Sequence, residues 1–321
     1  MTVKEARKIA EEFDQKQVHT DEEEFLFTEA MRYLIEEEKD PRDMMWLGGY
    51  YYEQRHFDLA LKYYEMAKSY DYDEAYECLG YIWYYGRTGE KDYKKAFACF
   101  SRMMEKGNPQ AAYKVADMYK NGYYVEKDYQ KYVDIIEDLY DNKVTTFRSL
   151  GDPFPEISTR LAGIRREQGD IDSAVELLLI AKDYLARRIS CNPFFGNLNI
   201  MKWLIDDLYE MTEFDYEEFD FFDLYYLLKS PHTIKLDYGD AQYLIETEEE
   251  DEEEDLPDGK SLKRLKAGAG SLKQSLRADM CAVHFDGKWY RDRDEFFQKA
   301  VLGEYKATEV YDEIYGWEVL R

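Results

Sequence analysis

The stretch Leu79-Gly80-Tyr81-Ile82-Trp83-Tyr84-Tyr85-Gly86-Arg87-Thr88-Gly89-Glu90-Lys91-Asp92-Tyr93 sets the fold of this chain. Its first part places Leu79, Ile82 and Trp83 at the spacing of one helix face. Gly86 to Lys91 interrupts that pattern with two glycines and polar residues, which predicts a turn. Asp92 stands where a second helix needs an acceptor at its N-cap. Beyond it Tyr93, Ala96, Phe100 and Met103 step by three and four along one face. Gly107-Asn108-Pro109 then supplies helix-stop chemistry. The unit reads as two antiparallel helices, the first beginning at Ala75.

The unit recurs. Lys91-Asp92-Tyr93 returns as Lys127-Asp128-Tyr129, 36 residues on, and at the same offset Gly86 pairs with Gly122 and Leu79 with Val115. Phe57 lies 36 before Tyr93 and Ala60 lies 36 before Ala96, so three consecutive units share a frame. After an interruption a fourth copy follows. Trp46 to Tyr70 aligns with Arg160 to Tyr184 at an offset of 114, with nine identities in 25 positions. That exceeds what helical composition alone gives, so residues 160–184 are read as a repeat. Gly48, Gly80 and Ala116 follow the large residue that begins each first helix's core. Small side chains there predict close approach of the paired second helix. Tyr132 replaces the second-helix alanine in the third unit, which predicts a wider pair there.

The Leu-Gly-x-x-aromatic opening of Leu79-Gly80-Tyr81-Ile82-Trp83 resembles the first helix of Sel-1-like and tetratricopeptide repeats, as does Leu47-Gly48-Gly49-Tyr50-Tyr51. Gly122-Tyr123-Tyr124-Val125-Glu126-Lys127-Asp128-Tyr129-Gln130-Lys131 is similar to the Sel-1-like connecting turn. The shorter turns at 43–74 and 157–185 are closer to tetratricopeptide repeats. The resemblance covers about 40–190. It implies a right-handed α-solenoid of stacked helix-turn-helix repeats acting as scaffold or adaptor, with first helices lining a concave face. Some members staple each repeat with a disulfide. Cys78 matches one such position, but its expected neighbours, Ala67 and Met103, are not cysteine.

The resemblance also implies where a partner docks: two, five and six residues after each first-helix core residue. Those positions are Gly49, Tyr52 and Glu53; Tyr81, Tyr84 and Tyr85; and Asp117, Lys120 and Asn121. Tyrosines edged by carboxylates suit a protein or peptide with apolar anchors and basic flanks, since tyrosine is favoured at binding hot spots. The alternative is that these tyrosines only pack between adjacent repeats.

Composition agrees with an elongated protein. Thirty-one tyrosines exceed the need of one core, and tyrosine suits half-buried surfaces where the ring packs and the hydroxyl stays wet. The formal net charge is −26. That charge repels phosphate backbones and anionic lipid heads and favours a basic protein partner. Solubility alone would also explain it. No apolar run reaches the ~20 residues of a membrane span, and Met1 to Glu12 lacks a signal peptide's apolar stretch. The four cysteines, Cys78, Cys99, Cys191 and Cys281, show no CxxC pair, which predicts free thiols in a reducing cytoplasm.

The flanks complete the organisation. Glu22 to Glu37 is amphipathic and is expected to cap the first repeat. Leu198 to Tyr209 and Tyr216 to Leu228 read as helices capping the other end. The solenoid domain is thus expected over 1–230. Phe214 to Phe222 is rich in aromatics and acids, suiting either core packing or a partner. From 231 to 321 the pattern changes to a small α+β domain. Strands are expected at Thr233–Tyr238 and Gln242–Thr247, and at Met280–Phe285 and Lys288–Tyr290 around the hairpin signal Asp286-Gly287. A helix is expected at Asp292–Leu302 and a last strand at Gly316–Leu320. Nine acids in the ten residues Glu246 to Asp255 repel one another, so a disordered insertion is expected near 246–270.

No catalytic, cofactor or metal motif is legible. Gly268 to Lys273 lacks the phosphate-loop spacing. His19, His56, His232 and His284 lie far apart, without helical ligand spacing for zinc. The main expectation is a non-enzymatic adaptor that holds a protein or peptide on the solenoid's concave face. Two alternatives stay open: an enzyme using His284 or Cys281 of the C-terminal domain, and a solenoid that self-associates through exposed tyrosines.

Overall fold

The computed structural model describes residues 1–16, 19–143, 153–249, 281–303 and 305–320. Two compact units emerge, Met1–Thr146 and Phe147–Arg321.

The first unit is a succession of helix pairs. Helix α1 (Val3–Asp14) begins at a reciprocal cap in which Thr2 accepts from the Glu5 amide and Glu5 accepts from the Thr2 amide. Thr20 and Glu23 repeat the device at the start of α2 (Asp21–Glu38). Each such box satisfies amides that a helix start leaves unpaired. α1 and α2 pack together, burying Ala6, Ala10, Phe27 and Leu34. α1 is not among the expected helices, although Thr2 and Glu5 carry the signature of its start.

Three repeat hairpins follow: α3 (Pro41–Glu53) with α4 (Phe57–Ser69), α5 (Glu74–Tyr85) with α6 (Tyr93–Glu105), and α7 (Pro109–Asn121) with α8 (Tyr129–Lys143). α2 packs on α3, as expected of a capping helix. Asp92 accepts from the Lys95 amide at 3.0 Å, as its N-cap position predicted. Asp128 does the same for Lys131 at 3.0 Å, while Asn108 caps α7 through Ala111 at 2.8 Å with Pro109 in the first turn.

The small residues act as their spacing predicted. A Cβ built on Gly48 would stand 2.6 Å from the Tyr64 ring, and one on Gly80 would stand 2.5 Å from the Phe100 ring. Only glycine admits an aromatic ring this close to the helix backbone. Ala116 is fully buried and Tyr132 nearly so.

The second unit opens with the fourth copy. α9 (Phe154–Glu167) packs against α10 (Ile171–Cys191), with Leu161, Ala174 and Ala181 buried as the offset required. α11 (Phe195–Met211) packs on α10. The second predicted helix, Tyr216 to Leu228, is not continuous. Asp215 folds back on the amides of Glu217 and Glu218, and Asp220 caps a 3-10 turn at Phe221–Asp223. Only α12 (Leu224–Leu227) is α-helical there. Acid side chains that bind local amides compete with helix, which explains the shortfall.

The α+β segment forms an antiparallel sheet. Its strands are β1 (Thr233–Tyr238), β2 (Ala241–Glu249), β3 (Cys281–Phe285), β4 (Lys288–Tyr290) and β7 (Tyr315–Leu320), in the order β4-β3-β2-β1-β7. Asp286 and Gly287 both take positive φ, 48° and 71°, as a two-residue hairpin of this type requires. Some boundaries differ from expectation. β2 runs past its expected end at Thr247 to Glu249 because β3 pairs with it, Glu246 facing His284 and Glu249 facing Cys281. The remainder of the expected acidic insertion, 250–270, lies outside the described residues. α13 (Arg293–Lys299) stops early because β5 (Val301–Leu302) turns at Gly303, φ 62°, to pair with β6 (Tyr305–Lys306). Ile234, Ile245, Val283 and Phe285 form the buried side of the sheet, and Phe285 meets Phe296 of α13 edge-on at 5.5 Å.

Candidate partner-binding face

The first helices α3, α5 and α7 carry every partner-binding position read from the sequence. Helical spacing brings Tyr81, Tyr84 and Tyr85 to the side of α5 that meets α7. All three are half-buried. Tyr81 Oη lies 2.7 Å from Tyr113 Oη, and its ring meets Phe100 edge-on at 5.3 Å. Burial, with Tyr113 beside it, pushes the Tyr81 phenol well above the usual tyrosine range. Tyr84 stands among Tyr85, Tyr93, Phe100 and Tyr123, with centroids 5.0 to 6.2 Å away.

The centre of this array is a residue the sequence reading missed. Lys114 of α7 is only 3% exposed. Its Nζ donates to Tyr85 Oη at 2.6 Å and lies 3.6 Å from Asp117 Oδ2. Four tyrosine rings, Tyr81, Tyr84, Tyr85 and Tyr113, surround it at 4.8 to 5.5 Å from their centroids. A buried ammonium costs several kcal/mol unless paired. Here a carboxylate, a phenol oxygen and the negative faces of aromatic rings offset that cost together.

A second cation extends the array toward α3. The Arg87 guanidinium lies 4.7 Å from the Tyr85 ring centroid and 5.2 Å from that of Phe57. Its Nε donates to Tyr52 Oη at 3.4 Å. Tyr52, Tyr81, Tyr84, Tyr85 and Asp117 are therefore linked through Arg87 and Lys114. Glu53 is exposed beside Tyr52. Asn121 is exposed at the end of α7, its Nδ2 donating to the Asp117 carbonyl at 2.7 Å. Lys120 Nζ lies over the Tyr132 ring at 4.9 Å, within its own hairpin. Beyond its own helix backbone, Gly49 has no described neighbour within 4 Å of where a Cβ would stand. The carboxylate expected to edge the tyrosines, Asp117, is buried against Lys114 instead.

Other sequence candidates are less engaged. Cys78, Cys99 and Cys191 are free thiols. Burial pushes Cys78 up to about 12 and Cys99 up to about 11, which makes both poor nucleophiles. His284 bonds Glu246 Oε2 at 2.9 Å through Nδ1 and lies 4.8 Å from the Trp289 ring centroid. The Cys281 side chain lies outside the described residues. Among the described residues no group of three His, Cys, Asp or Glu is arranged to hold a metal ion, and no helix is long and apolar enough to cross a membrane.

The fold is thus that of an α-helical repeat protein with a small α+β segment. No family model and no curated protein matches the chain. Among solved structures it is similar to a Sel1 repeat protein from Oxalobacter formigenes, at 18% identity and a TM-score of 0.43, covering 67% of this chain and 80% of that one. It is also similar to c5321, a protective antigen of uropathogenic Escherichia coli with an SLR fold, at 16% identity and a TM-score of 0.41. That match covers 67% of this chain and 51% of the antigen. The likeness concerns fold.

Proposed function

We propose that this protein is a non-enzymatic scaffold that holds a partner protein or peptide on the first-helix face of α3, α5 and α7. The observation that carries this reading is the tyrosine array fixed around Lys114 and Arg87. The rings of Tyr52, Tyr81 and Tyr85 are half-open to solvent, yet their hydroxyls are held by Arg87, Tyr113 and Lys114. A surface whose side chains are already ordered loses less entropy on binding. Tyrosine offers apolar area and a hydrogen-bonding tip at the same place. The ring faces suit apolar anchors, and Glu53 and Asn121 at the margins suit polar contacts. The chain's net charge of −26 speeds the approach of a basic partner.

The test uses exposed residues at the margins, with folding checked by circular dichroism. Glu53→Arg and Asn121→Arg are each expected to abolish co-purification of the partner from extracts of the native host. Ala98→Arg, on the exposed side of the second helix α6, is expected to leave it intact. Equal loss in all three variants, or in none, would remove the first-helix face from consideration.

A further inference from the structure

The second unit carries an aromatic surface that the first-helix face does not involve. Phe214 is its centre. Its ring stacks on Tyr226 at 5.0 Å with 14° between planes, and lies 4.8 Å from Tyr209 and 5.0 Å from Tyr216. Phe219, 5.7 Å away, continues the patch to Trp317 of β7 at 5.5 Å. A core would close over such rings. Here Tyr216 is 51% exposed, and the other five are only half-buried.

The segment bearing these rings is held in place. Asp215 Oδ1 accepts from the amides of Glu217 and Glu218 at 2.8 and 3.3 Å. Lys182 Nζ reaches both carboxylate oxygens of Asp223 at 2.7 Å and Asp220 Oδ2 at 2.9 Å. Three acids are thus engaged in fixing the segment. Three others, Glu213, Glu217 and Glu218, are exposed, and their carboxylates make no hydrogen bond or ion pair among the described residues. The surface therefore offers preformed ring faces with unmatched negative charge beside them. At its edge Lys229 Nζ, paired with Asp206 at 2.5 Å, lies 5.5 Å from the Tyr226 centroid.

We propose that the Phe214–Tyr216–Phe219–Trp317 patch is a docking surface for an arginine-bearing protein segment. A guanidinium lies flat on an aromatic face and forks two N–H groups toward a carboxylate, which an ammonium does not do. An apolar partner would leave the glutamates desolvated and unpaired. Phosphate backbones and anionic lipid heads are repelled by the same glutamates. The charge and the rings together select arginine.

Calorimetric titration of the protein tests this. The probes are a twelve-residue amidated peptide of alternating arginine and glycine, and its lysine counterpart of equal charge. The arginine peptide is expected to bind about fivefold more tightly than the lysine peptide. Tyr216→Ala is expected to weaken it about fivefold, and Glu217→Gln with Glu218→Gln to weaken it by a similar factor without touching the packed rings. Glu36→Gln with Glu37→Gln, which removes the same charge from an exposed face of α2, is expected to leave the affinity unchanged. Equal affinities for the two peptides, or equal weakening by the α2 pair, would mean that net charge alone attracts them and would overturn the proposal. Binding of neither peptide would overturn it as well.

Discussion

In the hairpins α3/α4 and α5/α6 a glycine meets an aromatic ring, Gly48 against Tyr64 and Gly80 against Phe100. In the hairpins α7/α8 and α9/α10 the corresponding positions hold Ala116 with Ile136 and Ala162 with Leu178, all buried. The correspondence is fixed by spacing. Gly48 and Tyr64 are 16 residues apart, as are Ala162 and Leu178. Gly80 and Phe100 are 20 apart, as are Ala116 and Ile136. What the four hairpins share is therefore a summed volume rather than a residue. Where the second helix contributes a ring, the first helix gives up its methyl. Where the second helix contributes an aliphatic side chain, the first keeps it. Interiors packed to crystal density respond to a single methyl group, so the two sides must change together.

Exchanging the two kinds of contact tests this reading. Gly80→Ala is expected to destabilise the protein by about 2 kcal/mol, because overpacking outweighs the helix propensity gained. Adding Phe100→Leu should recover much of that loss, giving a strongly non-additive double-mutant cycle in urea unfolding. A Gly80→Ala variant as stable as the wild type would mean that the rings do not set the helix separation. In the opposite hairpin, Ala162→Gly is expected to cost about 1 kcal/mol through backbone entropy, measured the same way.

The hairpins also differ at the start of their second helices. Asp92, Asp128 and Asp170 accept from the amides of Lys95, Lys131 and Ser173, whereas His56 caps α4 without a side-chain hydrogen bond. His56→Asp is therefore expected to raise the melting temperature, corresponding to about 1 kcal/mol. Asp170 adds a pH signature. Hydrogen bonds from Ser173, side chain and amide, hold its carboxyl below the usual aspartate range. Its contribution is full above the unfolded aspartate pKa and disappears as pH falls through the lower folded value. Asp170→Asn keeps a cap acceptor and should flatten that part of the acid-unfolding curve.

Much of this architecture was legible because local chemistry and packing agree. Asp92 and Asp128 announce helix starts, the recurrence of Lys-Asp-Tyr gives the repeat, and Asp286-Gly287 gives the β3–β4 hairpin. The misreadings have separate causes. Between Tyr216 and Leu228 the apolar spacing suggested a helix, but Asp215 and Asp220 had nearer amides to bind. β2 outlasted its acidic composition because β3 supplied a partner strand. Lys114 was the least legible. A lysine one residue before a core valine reads as a surface residue. Its burial depends on Tyr81, Tyr84, Tyr85 and Tyr113, which the fold assembles from two helices. The tyrosines of the candidate face were thus legible in the sequence, while the cations among them were not.

Site-specific photo-crosslinking in the native host addresses the docking face most directly. A benzophenone amino acid would replace Glu53, Tyr85 or Asn121 in separate variants, and Lys94 or Ala98 of α6 in two more. Discrete adducts to one partner protein from the first three positions, and none from α6, are what the scaffold reading predicts. Adducts that arise from Lys94 and Ala98 alone, with the first-helix positions silent, would contradict it.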